Sequence, residues 1–187
     1  MKLVGTLLAA GLSSRFEGTT SKLVAPFRGS TIIGHSLREF RESGIEERSV
    51  VVGIAAFNSI EMDKETVLFN YKPERGLASS LGVALDWANS LLADEIVIGL
   101  ADQPLIGSHA WRMVANYQGK PIVVATYEGL RRNPVKLKKE IFHLIGREGD
   151  RGASALYRLY PELVDEVAVS GTPIDIDTLE DLHKWNC

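Results

Sequence analysis

Gly11, Ser13, Ser14, Arg15 and Lys22 stand close together in one segment, LAAGLSSRFEGTTSKL, that runs through residues 8–23. These are the residue types that hold phosphate. Glycine lets backbone approach a ligand closely, and the successive N–H groups of Leu12 to Arg15 can form an anion-binding nest. Arg15 offers a planar fork to phosphate oxygens, and Lys22 a compact charge on a flexible stem. The segment is not a Walker A loop, because Phe16 and Glu17 stand where that loop needs glycine and lysine, and it contains no GxGxxG. Taken alone, it can also be an ordinary surface loop with scattered cations.

Three further groups have chemistry in them. Asp102, in GLADQPLI, closes an apolar run and stands just before Pro104. Turn formation explains that pair, but a strand-end carboxylate is also where Mg²⁺ is held for phosphate chemistry. Asp175 and Asp177 alternate with Ile174 and Ile176. In an extended segment that spacing puts both carboxylates on one face, where they repel unless solvated or bridged by a cation. Either of them paired with Asp102 would complete a Mg²⁺ site. Thr178 and Asp181 read as a capping box that starts a helix. Gly76, Ser79 and Ser80 can present N–H and hydroxyl groups to a base or ribose, or one of the serines can simply cap a helix. His35, His109, His143 and His183 show no metal-ligand spacing.

The elements that must position these groups are legible as alternating periods. Apolar, β-branched runs recur at 3–9, 49–54, 66–71, 95–101, 121–127 and 164–169. Several are hydrophobic throughout, as strands buried on both faces of a parallel sheet are. Helical patterns lie between them: 31–44, closed by Gly44; 79–93, with Leu81, Ala84, Leu85, Ala88 and Leu92 on one stripe; and 108–117, opened by Ser108 as N-cap. The alternation predicts a three-layer, Rossmann-like α/β domain around a mostly parallel sheet, with ligands at the carboxyl ends of the strands.

Composition narrows the class. The 187 residues carry 45% hydrophobic and 24% charged residues, which suits one globular domain over 1–187. A net charge of -3 leaves no footprint for general nucleic-acid binding. No run approaches the roughly 20 apolar residues of a membrane span. The N-terminal apolar run is short, broken by Gly5 and Thr6, and carries only Lys2 before it, which argues against an export signal. Cys187 has no partner cysteine. A cytoplasmic protein is expected. Arg131, Arg132, Lys136, Lys138 and Lys139 surround NPV, while Asp175, Asp177, Glu180 and Asp181 gather near the end. These are either solvated faces or the anion and metal sides of one site.

In this order the segments LAAGLSSRF with Lys22, GLASSLGVAL, LADQP, NPV, GDRGASAL and DIDTLEDL resemble the molybdopterin nucleotidyltransferases, a branch of the nucleotide-diphospho-sugar-transferase-like superfamily. Within that branch the resemblance is to the molybdenum cofactor cytidylyltransferases. It implies transfer of CMP from CTP to the terminal phosphate of molybdopterin carrying molybdenum or tungsten, with release of pyrophosphate and delivery to an oxidoreductase. It also implies that Gly11, Ser13, Ser14 and Arg15 wrap the triphosphate while Lys22 neutralises it. The backbone of Ala9 and Ala10, with Ser79 and Ser80, would face the base, and Asp102 and Asp177 would hold Mg²⁺, with Asp175 as the substitute. Asn133, Asp150 and Arg151 would lie toward the pterin acceptor, and Asp150 can cap a helix. The chain departs from the family in its longer Arg15–Lys22 spacing and in Arg131-Arg132-Asn133, where cytidylyltransferases often carry glycine and histidine.

The chemistry suits these residue types. An ionised phosphate oxygen is the nucleophile, so no general base is required, and catalysis reduces to positioning and charge stabilisation by Arg, Lys and Mg²⁺. A GTP-using guanylyltransferase, an enzyme with another phosphate acceptor, and a non-catalytic cofactor carrier are the competing expectations. Ala10 and GLASSL favour a pyrimidine, and retention of both cations with both carboxylates favours catalysis.

Overall fold

The structure, a computed structural model, describes residues 1–11, 16 and 21–186. In chain order its elements are β1 (Leu3–Ala9), β2 (Pro26–Phe27), β3 (Ser30–Thr31), α1 (Ile32–Arg41), β4 (Glu47–Gly53), α2 (Ile54–Phe57), β5 (Thr66–Asn70), α3 (Leu77–Ser90), β6 (Glu95–Leu100), α4 (Ser108–Asn116), β7 (Ile122–Tyr127), β8 (Leu130–Lys138), α5 (Ser154–Leu159), β9 (Val164–Ala168) and α6 (Leu179–Trp185). Seven strands form one sheet in the order β5-β4-β1-β6-β8-β7-β9, and β2 with β3 makes a separate hairpin. Within the large sheet only β8 runs antiparallel to its neighbours.

Strand alternation divides the core in two. Leu7 and Ala9 of β1 face one layer with Phe40 of α1, Trp111 and Val114 of α4, and Leu182 of α6. Val4, Leu8 and Ala10 face the other, with Leu81, Ala84, Leu85 and Ala88 of α3 and Leu156 of α5. Burying both faces is why the strands read as continuous apolar runs, and the three layers are those expected from the alternation. The chain leaves β1 toward β4 on one side, whereas α3 returns it to β6 on the other. Adjacent β1 and β6 therefore form the switch point of the sheet, where a crevice opens.

Several local expectations are corrected. The segment 130–138, absent from the apolar runs read in the sequence, is a strand that Pro134 and four cations disguise. Lys136 is fully buried and paired with Glu95 Oε2 at 3.3 Å, so the basic cluster around NPV is not one solvated patch. Lys136 and Glu95 lie on one face of neighbouring strands, and each is the counter-charge that lets the other be buried. Helix α4 takes Gly107, not Ser108, as its N-cap, and the Ser108 N–H is bound by Glu39 Oε2 at 2.9 Å. Helix α1 ends at Arg41, before Gly44. Asp150 caps no helix: α5 begins after Ala153, without a side-chain cap.

Candidate active site

Asp102 follows β6 at the carboxyl edge of the sheet, and Lys22 follows the loop after β1. The Lys22 Nζ donates to Asp102 Oδ2 at 2.8 Å and to Asp177 Oδ1 at 2.5 Å. Lys22 is only 7% exposed. Burial works against its charge, but the two carboxylates more than restore it and hold the ammonium above its usual range.

Asp177 is placed by two local devices. The Ile176 N–H donates to the Asp102 carbonyl at 2.9 Å, and the Ile176 side chain is fully buried, so the segment is pinned to the β6 loop. On the other side, Thr178 and Asp181 form the capping box read in the sequence. Asp181 Oδ2 accepts the N–H groups of Asp177 and Thr178 at 3.2 and 2.9 Å. Asp177 is thereby held just before α6.

The two alternating carboxylates take different jobs. Asp177 lines a cleft of about 580 Å³ together with Ala10, Gly11, Lys22, Gly76, Ser80 and Asp102. Asp175 lines a neighbouring pocket of about 260 Å³ and accepts from Gln103 Nε2 at 2.9 Å. Much of the Asp175 residue stays in solvent, yet local desolvation pushes its carboxyl up, and the charge of Asp102 adds to the effect. Asp102 Oδ1 is buried with no hydrogen-bond partner among the described residues. Such an atom is costly unless a ligand satisfies it. Asp102 and Asp177 line one cleft, and an unsatisfied carboxylate oxygen on that pair fits a divalent cation. Among the described residues no three acidic, histidine or cysteine side chains converge, so the chain would hold such a cation with two carboxylates while phosphate and water supply the rest.

The far wall of the cleft is the start of α3. Gly76 adopts φ +84° and lies against Gly149 and Asp150. A Cβ at residue 76 would overlap Asp150 Oδ1 and come within 2.8 Å of the Gly149 carbonyl. Two backbone bonds fasten this joint, Ala78 N to Gly149 O at 2.9 Å and Gly149 N to Arg75 O at 2.8 Å. The GDRGA segment is thus built onto GLASSL. Leu8, Leu77, Leu100 and Asp150 line both cavities, which makes the cleft and the smaller pocket contiguous. The smaller pocket has an apolar floor that includes Leu81, Ile98 and Val135, and it carries Arg131, Arg132, Asn133 and Arg151.

Of the expected site residues, Ala10, Gly11, Lys22, Gly76, Ser80, Asp102, Asp150 and Asp177 meet at the cleft. Asn133, Arg151 and Asp175 lie in the adjoining pocket. Ala9 belongs to the opposite core layer, so its side chain faces away from the cleft. Ser79 is turned to backbone, donating to Gly76 O at 2.8 Å and Lys72 O at 3.1 Å. Ser13, Ser14 and Arg15 lie outside the described residues. Two buried polar residues went unnoticed in the sequence. Gln103 joins Asn133 Nδ2 at 3.0 Å to Asp175, and Asn70 binds both Ser79 and Ser80. Their signal was a lone amide at the carboxyl end of an apolar strand, where ligands bind.

The MobA-like NTP transferase domain matches residues 5–167. The chain belongs to the MobA-like NTP transferase family. It is a nucleotidyltransferase. Rv0371c from Mycobacterium tuberculosis H37Rv superposes with a TM-score of 0.88 at 30% identity, covering 100% of this chain and 97% of that one. A structure of that protein in complex with manganese superposes with a TM-score of 0.85. Nicotine blue oxidoreductase of Paenarthrobacter nicotinovorans is 27% identical over 97% of this chain and 95% of its own length. Purine catabolism protein PucB of Bacillus subtilis (strain 168) is 29% identical over 96% and 93%. No helix among the described residues is long and apolar enough to cross a membrane.

Proposed function

We propose that this nucleotidyltransferase transfers CMP from CTP to the terminal phosphate of molybdopterin bearing molybdenum or tungsten, using Mg²⁺ and releasing pyrophosphate. The observation that carries the proposal is the meeting of Lys22, Asp102 and Asp177 at the switch point, in a cleft contiguous with an arginine-bearing pocket. A triphosphate fits the cleft and an anionic acceptor the pocket, so the two substrates would lie end to end.

In the reaction an acceptor phosphate oxygen forms a bond to the α-phosphorus of CTP, and the bond between the α-phosphorus and the bridging oxygen breaks. The electron pair leaves with pyrophosphate. Lys22 stays protonated and donates to the triphosphate, whose oxygens compete with the two carboxylates for the ammonium. Arg15 joins it on the phosphates, with the N–H groups of Gly11 to Arg15. Asp102 and Asp177 would hold Mg²⁺, which neutralises charge on the phosphates when bound. Asn133, Asp150 and Arg151 orient the acceptor, and Ser80 meets the nucleoside. A manganese complex of a relative supports a divalent metal. The reading includes a cytoplasmic location, which the single unpaired cysteine, Cys187, supports.

The test is pyrophosphate release by purified protein with Mg²⁺ and metal-loaded molybdopterin, comparing CTP, GTP, ATP and UTP, with Asp102→Ala as control. Turnover with CTP that is lost in the variant supports the assignment. Preference for GTP moves the protein to the guanylyl reaction, and no turnover with any nucleotide points to another phosphate acceptor.

A further inference from the structure

Asn70, the last residue of β5, is 3% exposed and has both ends of its amide engaged. Its Oδ1 accepts the backbone N–H of Lys72 at 2.9 Å. A backbone N–H only donates, so the amide end facing it is the carbonyl and the end facing α3 is the amino group. Nδ2 therefore donates to Ser79 Oγ at 2.8 Å and to Ser80 Oγ at 2.9 Å.

An amide nitrogen cannot accept, so each serine must send its own hydrogen elsewhere. Ser79 sends it to the backbone carbonyls of Gly76 and Lys72. The Ser80 hydrogen has no acceptor among the described residues, and Ser80 lines the cleft beside Ala10 and Leu77. Ser80 is 5% exposed, so a ligand in the cleft would replace most of the water available to its hydroxyl.

We infer that Asn70 is a positioning residue, which fixes the Ser80 hydroxyl as a hydrogen-bond donor to the nucleoside part of the bound nucleotide. The inference rests on the reading that the cleft takes a nucleoside triphosphate. The ligand atom served is an acceptor, either on the base, such as O2 or N3 of cytosine, or on the ribose. Asn70 does not touch the ligand. It acts by removing the alternative in which Ser80 presents a lone pair.

Asn70→Asp separates polarity from shape. Its carboxylate still accepts the Lys72 N–H, but toward the serines it also only accepts. Ser80 must then turn its hydrogen inward and face the ligand with lone pairs. Dissociation constants are measured by calorimetry, with Mg²⁺, for CTP, UTP, GTP, ATP and inorganic tripolyphosphate on wild type, Asn70→Asp and Ser80→Ala, with thermal melts to establish folding. Both variants are expected to weaken CTP about tenfold, as loss of one buried hydrogen bond does, with tripolyphosphate unchanged. A loss that differs among the four nucleotides assigns the acceptor atom to the base, and an equal loss assigns it to the ribose; both support the donor role. Wild-type CTP affinity in Ser80→Ala, or in a folded Asn70→Asp, overturns the inference and leaves the nucleotide reading standing, as does an equal loss for CTP and tripolyphosphate. Failure of the wild type to bind any nucleotide removes the underlying reading instead.

Discussion

Lys22 and Asp177 are separated by 155 residues and meet at 2.5 Å, with Asp102 closing the same bridge at 2.8 Å. The ammonium occupies the gap between two carboxylates, where a divalent cation would otherwise relieve their repulsion. Lys22→Met should therefore do two opposite things. Manganese or magnesium binding to the nucleotide-free protein should tighten, read as a larger metal-dependent rise in Tm. Turnover should fall about 100-fold or more, because a charge that stabilises the departing phosphates is gone. A variant with weaker metal binding would show that Lys22 supports the carboxylates rather than competing for them.

Ile176 carries no charge, yet it decides where the Asp177 backbone runs. Its side chain is fully buried and its N–H is bonded to Asp102 O. Ile176→Ala should cost about 2–4 kcal/mol in denaturant unfolding, the usual range for such a cavity. The same variant should weaken metal binding, while Ile176→Val should cost about 1 kcal/mol and keep the metal response.

Gly76 is the joint between the nucleotide cleft and the acceptor pocket. Its positive φ and its contact with Gly149 leave no room for Cβ. Gly76→Ala should lower stability by at least about 1 kcal/mol and raise KM for both substrates together. An effect on one substrate alone would show that the two cavities respond independently.

Lys136 looks basic in sequence and is structural in the fold. Lys136→Met leaves Glu95 buried without its counter-charge and should destabilise by about 3–5 kcal/mol. Dissociation constants for nucleotides on the folded variant should match wild type. Adding Glu95→Leu should restore much of the loss, since a well-packed apolar pair replaces a desolvated ionic one at little cost.

Glu65 sets part of the acid sensitivity. The Arg41 guanidinium, bonded to both of its oxygens, holds its carboxyl down from the usual 4.5 to about 2, against the opposing effect of burial. A lowered value means that the stabilisation is complete above about pH 4.5 and disappears as pH falls toward 2. Glu65→Gln should flatten the loss of stability over that window by about 2 kcal/mol, with little change in its slope at pH 7. An unchanged acid profile would assign the sensitivity to other carboxylates.

Six of the seven strands of the large sheet were legible as sequence. For the inner strands β1, β4, β6 and β7 the reason is that a strand buried on both faces must be apolar at nearly every position, whereas the partly exposed edge strands β5 and β9 showed only as short β-branched runs. The capping box at Thr178 and Asp181 was legible for a similar reason, since both partners lie within one turn. Asp102 and the Asp175–Asp177 pair were visible as carboxylates beside apolar runs. Strand β8 was not legible, because Lys136 becomes a core residue only when Glu95 is brought beside it from another strand. Nor could the sequence divide Asp175 from Asp177. That depended on Gln103 reaching one carboxylate and Lys22 the other, across separations of 72 and 155 residues. Local periodicity and capping therefore determined the elements and nominated the charged residues. Tertiary structure decided which charges are counter-ions, which face the cleft, and which amide donates to the Ser80 hydroxyl, because burial and hydrogen-bond partners depend on residues distant in the chain.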